Sequence, residues 1–114
     1  MPISFEDRSA NFRHILLTGR LDALGTEEIA QQLAKLVASE NRQVLVDLTE
    51  VTFLNSAGIS ALINNARALN VLGGRMVLLA SDNSLVAKTL IAVGINTLLP
   101  ICNNYPEAEK ALLV

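Results

Sequence analysis

The residues best suited to chemistry are a polar pair, Asn55-Ser56, between an apolar strand-like run and a helix-like pattern. A predicted helix start offers free backbone N–H groups and the positive end of the helix dipole. Ser56 can therefore simply cap the helix, with Asn55 in the preceding turn. It can also be recognised or modified by another protein, since a phosphate here would meet a ready anion site. Spacing alone favours the cap and leaves both readings open.

Other catalytic chemistry has few candidates, because the chain has one histidine and one cysteine. His14 lies in an alternating stretch and is expected to face solvent or the sheet edge. Cys102 is expected to be a small buried or half-buried hydrophobe. A zinc site usually needs four ligands, and a Cys or Ser nucleophile pair would have to use one of these two residues. We therefore expect no catalytic residue, metal or cofactor.

Composition bounds the class of protein. The 114 residues suit one domain, 1–114, and 51% are apolar, as in a globular protein. The net charge is −2 with scattered Lys and Arg, which argues against nucleic acid as a partner. No apolar run approaches the ~20 residues of a membrane span, and no signal peptide is visible. These features predict a cytoplasmic protein without membrane partners.

The hydrophobic pattern predicts an α/β domain with a mixed, mostly parallel sheet of four to five strands, an N-terminal β-hairpin and four helices. The predicted strands are 3–8, 12–18, 43–48, 75–80 and 97–101. Gly19 to Asp22 is expected to break the second strand, and Val51 to Leu54 to be a link. The predicted helices begin at Thr26, at Ser56 or Ala57, at Asn83-Ser84 and at Asn104-Tyr105-Pro106; the second ends near Leu72, before Gly73-Gly74.

Partners of such sheets meet the loops at the C-terminal ends of the parallel strands, where Asn55-Ser56 is predicted to lie. The outward side of the second helix carries small, uncharged residues, with Arg67 its one charge. This composition suits a flat contact surface. Gly58 in the first turn costs roughly 1 kcal/mol against alanine, which a close approach by another backbone or side chain would explain. The outward residues are Ser60, Ala61, Asn64, Asn65 and Ala68.

The stretch Asp47 to Gly58, DLTEVTFLNSAG, resembles the signature of STAS domains, the sulphate transporter and anti-sigma factor antagonist family. Leu17 to Asp22 is similar to an earlier turn of that family. Gly73-Gly74 and the segment Leu90 to Leu98 also resemble its pattern. The similarity covers nearly the whole chain.

The resemblance implies the STAS fold and a stand-alone, bacterial anti-sigma factor antagonist that catalyses nothing. In that family the serine at the position of Ser56 is phosphorylated. The unphosphorylated domain binds an anti-sigma factor that is also a serine kinase. Phosphorylation ends this binding, and a serine phosphatase that acts on the phosphorylated form restores it. The partner-binding residues are then expected to be Asp22, Asn55, Ser56, Ala57, Gly58, Ser60, Ala61 and Asn64.

Three departures from the family pattern concern the partner more than the fold. Asn55 replaces a common acidic residue, and Ala57 replaces a Ser or Thr. Arg20 stands where an acidic residue is often found, whereas Asp22 is kept. Asn55 removes a negative charge beside the hydroxyl, and Ala57 leaves Ser56 the only hydroxyl between Phe53 and Ile59.

Two alternatives remain open. One is a constitutive binding or scaffold subunit of a larger complex, resembling other STAS members in large assemblies or lipid-transport complexes, in which Ser56 is only a cap. The other is a small-molecule or nucleotide binder, which ranks last because no Gly-rich phosphate loop is present.

Overall fold

A five-stranded sheet organises the residues that the computed structural model describes, 2–38 and 43–113. The strands are β1 (Ile3–Ser9), β2 (Phe12–Leu21), β3 (Gln43–Leu54), β4 (Arg75–Leu79) and β5 (Ile101–Cys102). The helices are α1 (Ala23–Val37), α2 (Ser56–Val71), α3 (Leu85–Ala92) and α4 (Tyr105–Leu113), with a 3₁₀ turn at Ile95–Thr97.

The sheet follows chain order, β1-β2-β3-β4-β5. β1 and β2 form an antiparallel hairpin, and the other neighbours are parallel. Because parallel crossovers are right-handed and the order advances in one direction, α1, α2 and α3 all lie on one face. α4 follows the last strand and covers part of the other face. The predicted mixed sheet, hairpin and four helices are confirmed.

Alternate residues of β3 serve two cores, which explains its uninterrupted apolar run. Val44, Val46 and Leu48 face α1, α2 and α3. Leu45 faces α4, together with Val77. The first half of the strand is thereby packed on both faces, whereas Val51 and Leu54 at its C-terminal end pack on the side of α1, α2 and α3.

Two strands run further than predicted. β2 continues through Leu21 because Gly19, with φ of +87°, accommodates a register shift against β3. β3 continues to Leu54, so Val51 to Leu54 is strand and not a link. The predicted break and link were therefore wrong, and both strands end together.

Two other predicted boundaries were wrong. α1 begins at Ala23 and not at Thr26, because the Asp22 side chain accepts a hydrogen bond from the Gly25 amide and caps the helix earlier. The predicted strand 97–101 shrinks to Ile101–Cys102, since Gly94, with φ of +79°, leads into the 3₁₀ turn instead. The start of α2 at Ser56 and the cap of α3 at Ser84 are confirmed. Within residues 2–38 and 43–113, no helix has the length and apolar character needed to cross a bilayer.

Candidate functional site

Ser56 is the first residue of α2, and its side chain is exposed. The helix is capped by Asn55, whose Oδ1 accepts a hydrogen bond from the Ala57 amide at 3.0 Å. The expectation that Ser56 is itself the cap is therefore wrong: Asn55 has the extended backbone of a capping residue, with φ −121° and ψ −169°. Within the part of the chain that the structure describes, the Ser56 hydroxyl has no hydrogen-bond partner. It is free to react with, or bind, another molecule.

Ser56 lies on a rim formed by residues 20–22 and 53–58, where β2 and β3 end side by side. Leu21 pairs with Leu54 across the two strands, and the Leu21 carbonyl accepts a hydrogen bond from the Asn55 amide at 3.3 Å. Asp22 and Asn55 are the N-caps of the two neighbouring helices. The structure therefore brings these two predicted residues to adjacent strand ends, with Ser56 next along the chain.

Gly58 belongs to the packing beneath the rim. It is buried, and a Cβ at this position would lie 2.6 Å from Leu54 Cδ1 and 2.9 Å from both Cβ and the carbonyl oxygen of Leu21. The sequence suggested that another backbone or side chain approaches Gly58 closely; the groups that do so are Leu21 and Leu54 of the same chain. We assign Gly58 to the seating of α2 on β2 and β3, and not to the exposed surface offered to a partner.

An uncharged surface extends from Ser56 along α2. Ser60 and Asn64 are exposed and follow Ser56 at intervals of four residues, which places the three on one side of the helix. Ala57 and Ala61 are partly exposed beside them. We call these five residues, 56, 57, 60, 61 and 64, the α2 face; its small side chains permit close contact with another protein.

Arg20 and Phe53 form a part of the rim that sequence reasoning missed as a pair. They are opposite each other in the β2–β3 register, and Arg20 Cζ lies 4.3 Å from the centroid of the Phe53 ring. Arg20 Nε also lies 3.4 Å from Asp22 Oδ2. The pair was hidden because Phe53 was expected in a link, whereas a cross-strand contact requires both residues to be in strands.

The Asp22 carboxyl is held mainly by the helix it caps. Its pKa lies below the ordinary value, first because the Gly25 amide donates a hydrogen bond to it, and to a lesser degree because of Arg20. An ionised carboxylate is therefore maintained on the rim at neutral pH. This charge is fixed close to Arg20.

A shallow groove of about 460 Å³ opens beside the rim, between the end of β2 and the start of α1. Its charged lining is one cation, Arg20, and two carboxylates, Asp22 and Glu28. The net negative charge of this lining is unfavourable for a free nucleotide bound within the groove, and Ser56 does not line the groove. The groove therefore gives no support to the nucleotide-binding alternative.

His14 is not a solvent-facing strand histidine as expected. Its Nε2 lies 2.9 Å from Asp47 Oδ2 across β2 and β3, and its side chain is only 16% exposed. The Tyr105 ring lies over it, with the ring centroids 5.7 Å apart. Asp47 also accepts from the Thr49 amide at 2.9 Å and from the Thr49 hydroxyl at 2.6 Å. Sequence reasoning missed this contact because it spans two strands.

Neither His14 nor Cys102 is arranged as part of a nucleophile pair among the described residues. The hydrogen-bond contacts of His14 are with Asp47 and, at 3.5 Å, with Arg8. Cys102 is buried, as expected, and burial raises the pKa of its thiol. A raised pKa disfavours the reactive thiolate.

Comparison with known proteins gives one family match. Residues 4–100 match the family model described as "Mlab, STAS domain". A search of curated proteins gave no match. Similarity to solved structures is extensive in fold and low in sequence.

These structures include anti-sigma factor antagonists and a STAS-domain protein. One from Mycobacterium paratuberculosis has a TM-score of 0.86 at 20% identity, over 98% of this chain and 93% of that one. A STAS-domain protein from Planctomyces limnophilus has a TM-score of 0.79 at 22% identity, over 96% of each chain. The Bacillus cell fate determinant SpoIIAA, in its phosphorylated form, has a TM-score of 0.68 at 20% identity, over 96% of this chain and 97% of that one. At these identities the likeness establishes the fold.

Proposed function

Because this chain belongs to the STAS domain family, we propose that it is an anti-sigma factor antagonist regulated by phosphorylation of Ser56. In this role it is a bacterial, cytoplasmic binding protein and not an enzyme. Its unphosphorylated form binds an anti-sigma factor that is also a serine kinase. That kinase transfers the γ-phosphoryl group of ATP to the Ser56 oxygen, binding ends, and a serine phosphatase reverses the modification.

The observation that carries this proposal is the position of the Ser56 hydroxyl. It is exposed at the first turn of a helix, and the capping bond is made by Asn55 instead. The hydroxyl is thus not engaged in holding the fold, so its modification does not break a bond of the described structure. The similarity in fold to SpoIIAA, which is known in a phosphorylated form, supports this use of the fold.

The switch follows from charge and solvation. Phosphorylation adds about −1.5 to −2 charges and three strong acceptors. A partner seated on the α2 face would have to remove water from that charge. A coupling of about 1–3 kcal/mol, typical of regulated binding, weakens the complex roughly 5- to 150-fold. The positive end of α2 can hold the phosphate without refolding.

The test combines modification and binding. The protein is incubated with ATP and the serine kinase encoded nearest to it, and the mass of the peptide carrying Ser56 is measured. Partner affinity is then compared for Ser56→Asp and Ser56→Ala. We expect added phosphate on Ser56 and about 5-fold or greater loss of affinity in Ser56→Asp relative to Ser56→Ala.

Ser60 provides the matched control, because it is an exposed serine on the same side of α2, one turn further along. Ser60→Ala should leave Ser56 as the phosphorylated residue; it controls for the site of modification and not for affinity, because Ser60 belongs to the α2 face. Phosphate on Ser60 and not on Ser56, or equal affinities of the two Ser56 variants, would contradict the proposal.

The second candidate is a constitutive subunit of a larger assembly that binds through the α2 face without modification. The family description, "Mlab, STAS domain", is compatible with it, because the description mentions neither an anti-sigma factor nor phosphorylation. Asn55 and Ala57, which depart from the antagonist signature, favour it. Under this reading Asn64→Lys abolishes binding, whereas Ser56→Ala and Ser56→Asp bind alike and no kinase modifies Ser56.

A further inference from the structure

Arg20 presents an exposed guanidinium on the same rim as Ser56. Its side chain is 62% exposed and rests on the Phe53 ring, with Cζ 4.3 Å from the ring centroid. Its ionic contact is a single Nε at 3.4 Å from Asp22 Oδ2. An ion pair that is long and solvated in this way contributes little to stability. The guanidinium is therefore held in place mainly by the aromatic ring and can turn towards a better acceptor at small cost.

The strand register places Arg20 near the start of α2. Arg20 is opposite Phe53, three residues before Ser56, and the neighbouring Leu21 carbonyl is hydrogen bonded to the Asn55 amide. Neighbouring strands are about 4.8 Å apart, and arginine has a long flexible side chain. The rim thus carries a solvent-exposed cation on the strand that is hydrogen bonded to the residue preceding Ser56.

We propose that Arg20 releases its contact with Asp22 and binds the phosphate group of phosphorylated Ser56. This inference rests on the proposed modification of Ser56, and it names Arg20 as the residue that binds the added phosphate. A phosphate offers three acceptor oxygens in a geometry that the planar guanidinium matches with two parallel N–H donors. The existing contact with Asp22 uses one donor at a longer distance. The exchange is therefore favoured.

The exchange leaves the fold intact, because the two oxygens of Asp22 have different contacts. Oδ1 accepts from the Gly25 amide at 2.9 Å and keeps α1 capped, while only Oδ2 faces Arg20. Movement of Arg20 towards the phosphate uncovers the Phe53 ring and leaves the Asp22 carboxylate without its ion-pair partner. Phosphorylation would thus alter an anion, a cation and an aromatic surface together, which is a larger change than the phosphate charge alone.

The test uses the full chain with phosphoserine built into position 56 during synthesis, so that no kinase is needed. The second ionisation of phosphoserine has a pKa of about 6, and a bound guanidinium lowers it by favouring the dianion. We expect a ³¹P NMR titration to give a pKa lower by roughly half a unit or more in the wild-type background than in Arg20→Gln. The Arg20 Nε–H signal should shift with the same midpoint.

The matched control is Arg67→Gln, which removes the same charge from α2 eleven residues, or about 16 Å, beyond Ser56. It should leave the phosphoserine pKa at the wild-type value. Equal pKa values in wild type and Arg20→Gln, with an unmoved Arg20 signal, would overturn the inference. Because the phosphate is installed chemically, this result is independent of whether a kinase modifies Ser56, so the two proposals fail separately.

Discussion

At the scale of single residues, three residues at the start of α2 have separate roles. Asn55 makes the capping bond, Gly58 allows the helix to approach the strands, and Ser56 is left with an exposed, unengaged hydroxyl. A serine that capped its own helix would have its capping bond rearranged when the hydroxyl was modified. Because the cap is made by Asn55, Ser56 can be modified without loss of the bond that stabilises the start of the helix.

Gly58→Ala tests the role of Gly58 in the packing of α2 against β2 and β3. A methyl group here would meet Leu54 Cδ1 at 2.6 Å and the Leu21 carbonyl oxygen at 2.9 Å. The leucine side chain can move, but the backbone oxygen is held in the sheet. We expect the free energy of unfolding to fall by about 1–3 kcal/mol, measured by urea denaturation, despite the higher helix propensity of alanine.

The control for Gly58→Ala is Ser60→Ala, a change on the exposed side of the same helix. Its effect should lie within about 0.5 kcal/mol of wild type. An unchanged or increased stability of Gly58→Ala would show that α2 is not seated as closely as the structure describes.

At the scale of elements, α1 and α2 start alike, each capped by the residue that follows a strand end. The caps differ in charge: Asp22 is acidic, whereas Asn55 is neutral. A neutral cap satisfies the amide of Ala57 without adding a negative charge beside Ser56. A phosphate on Ser56 therefore meets less repulsion from its own helix cap than it would beside an aspartate.

Variants of Asn55 test the cap. Asn55→Ala removes the acceptor of the Ala57 amide and should lower the free energy of unfolding by about 1 kcal/mol. Asn55→Asp keeps the acceptor and adds a favourable charge at the positive end of α2, so it should gain about 0.3–1 kcal/mol at pH 7 and low salt. Thermal denaturation at low and high salt measures both.

The salt series supplies the control, because the gain from Asn55→Asp should shrink as salt screens the charge and the loss from Asn55→Ala should not. A stability of Asn55→Ala equal to wild type would mean that another group caps α2.

The elements themselves were predictable from the sequence where the hydrophobic period is regular, and less so where it is interrupted. β3 shows why: Val44, Val46 and Leu48 alternate, but Val51 and Leu54 are both buried towards the helices at a spacing of three. That spacing does not fit a regular strand, so 51–54 was predicted as a link. The register shifts of β2 against β3 at Leu16/Thr18 and Gly19/Arg20 explain the irregularity, and they depend on tertiary pairing.

The same distinction applies to the candidate site. Ser56 was found because a serine before a helical pattern is a local signal. The pairs Arg20–Phe53 and His14–Asp47 join β2 to β3 over 33 residues of sequence. Such pairs follow only from the register, which single-sequence periodicity does not fix.

At the scale of the whole molecule, the His14–Asp47 pair ties the hairpin strand β2 to the central strand β3 on the face that α4 covers only in part. Burial of the Asp47 carboxyl raises its pKa, but hydrogen bonds from His14 and from the hydroxyl and amide of Thr49 outweigh burial, and the pKa lies below its ordinary value. The ionised carboxylate therefore favours the folded state.

The sign of the pH dependence follows from that shift. The unfolded carboxyl has a pKa of about 3.9 and binds a proton more readily than the folded one, so the contribution of Asp47 is complete above this value. It is lost as the pH falls from about 5 through the lower folded pKa. We expect the urea midpoint of the wild type to decline between pH 7 and pH 3, and that of Asp47→Asn to decline less steeply. At pH 7 the midpoint of Asp47→Asn should already be lower than that of the wild type, because the buried pair with His14 is broken.

The control is Asp82→Asn, which removes an exposed carboxylate in the turn before α3 and should keep the wild-type slope. An acid decline in Asp47→Asn as steep as in wild type would show that this link between β2 and β3 does not set the acid limit of the fold.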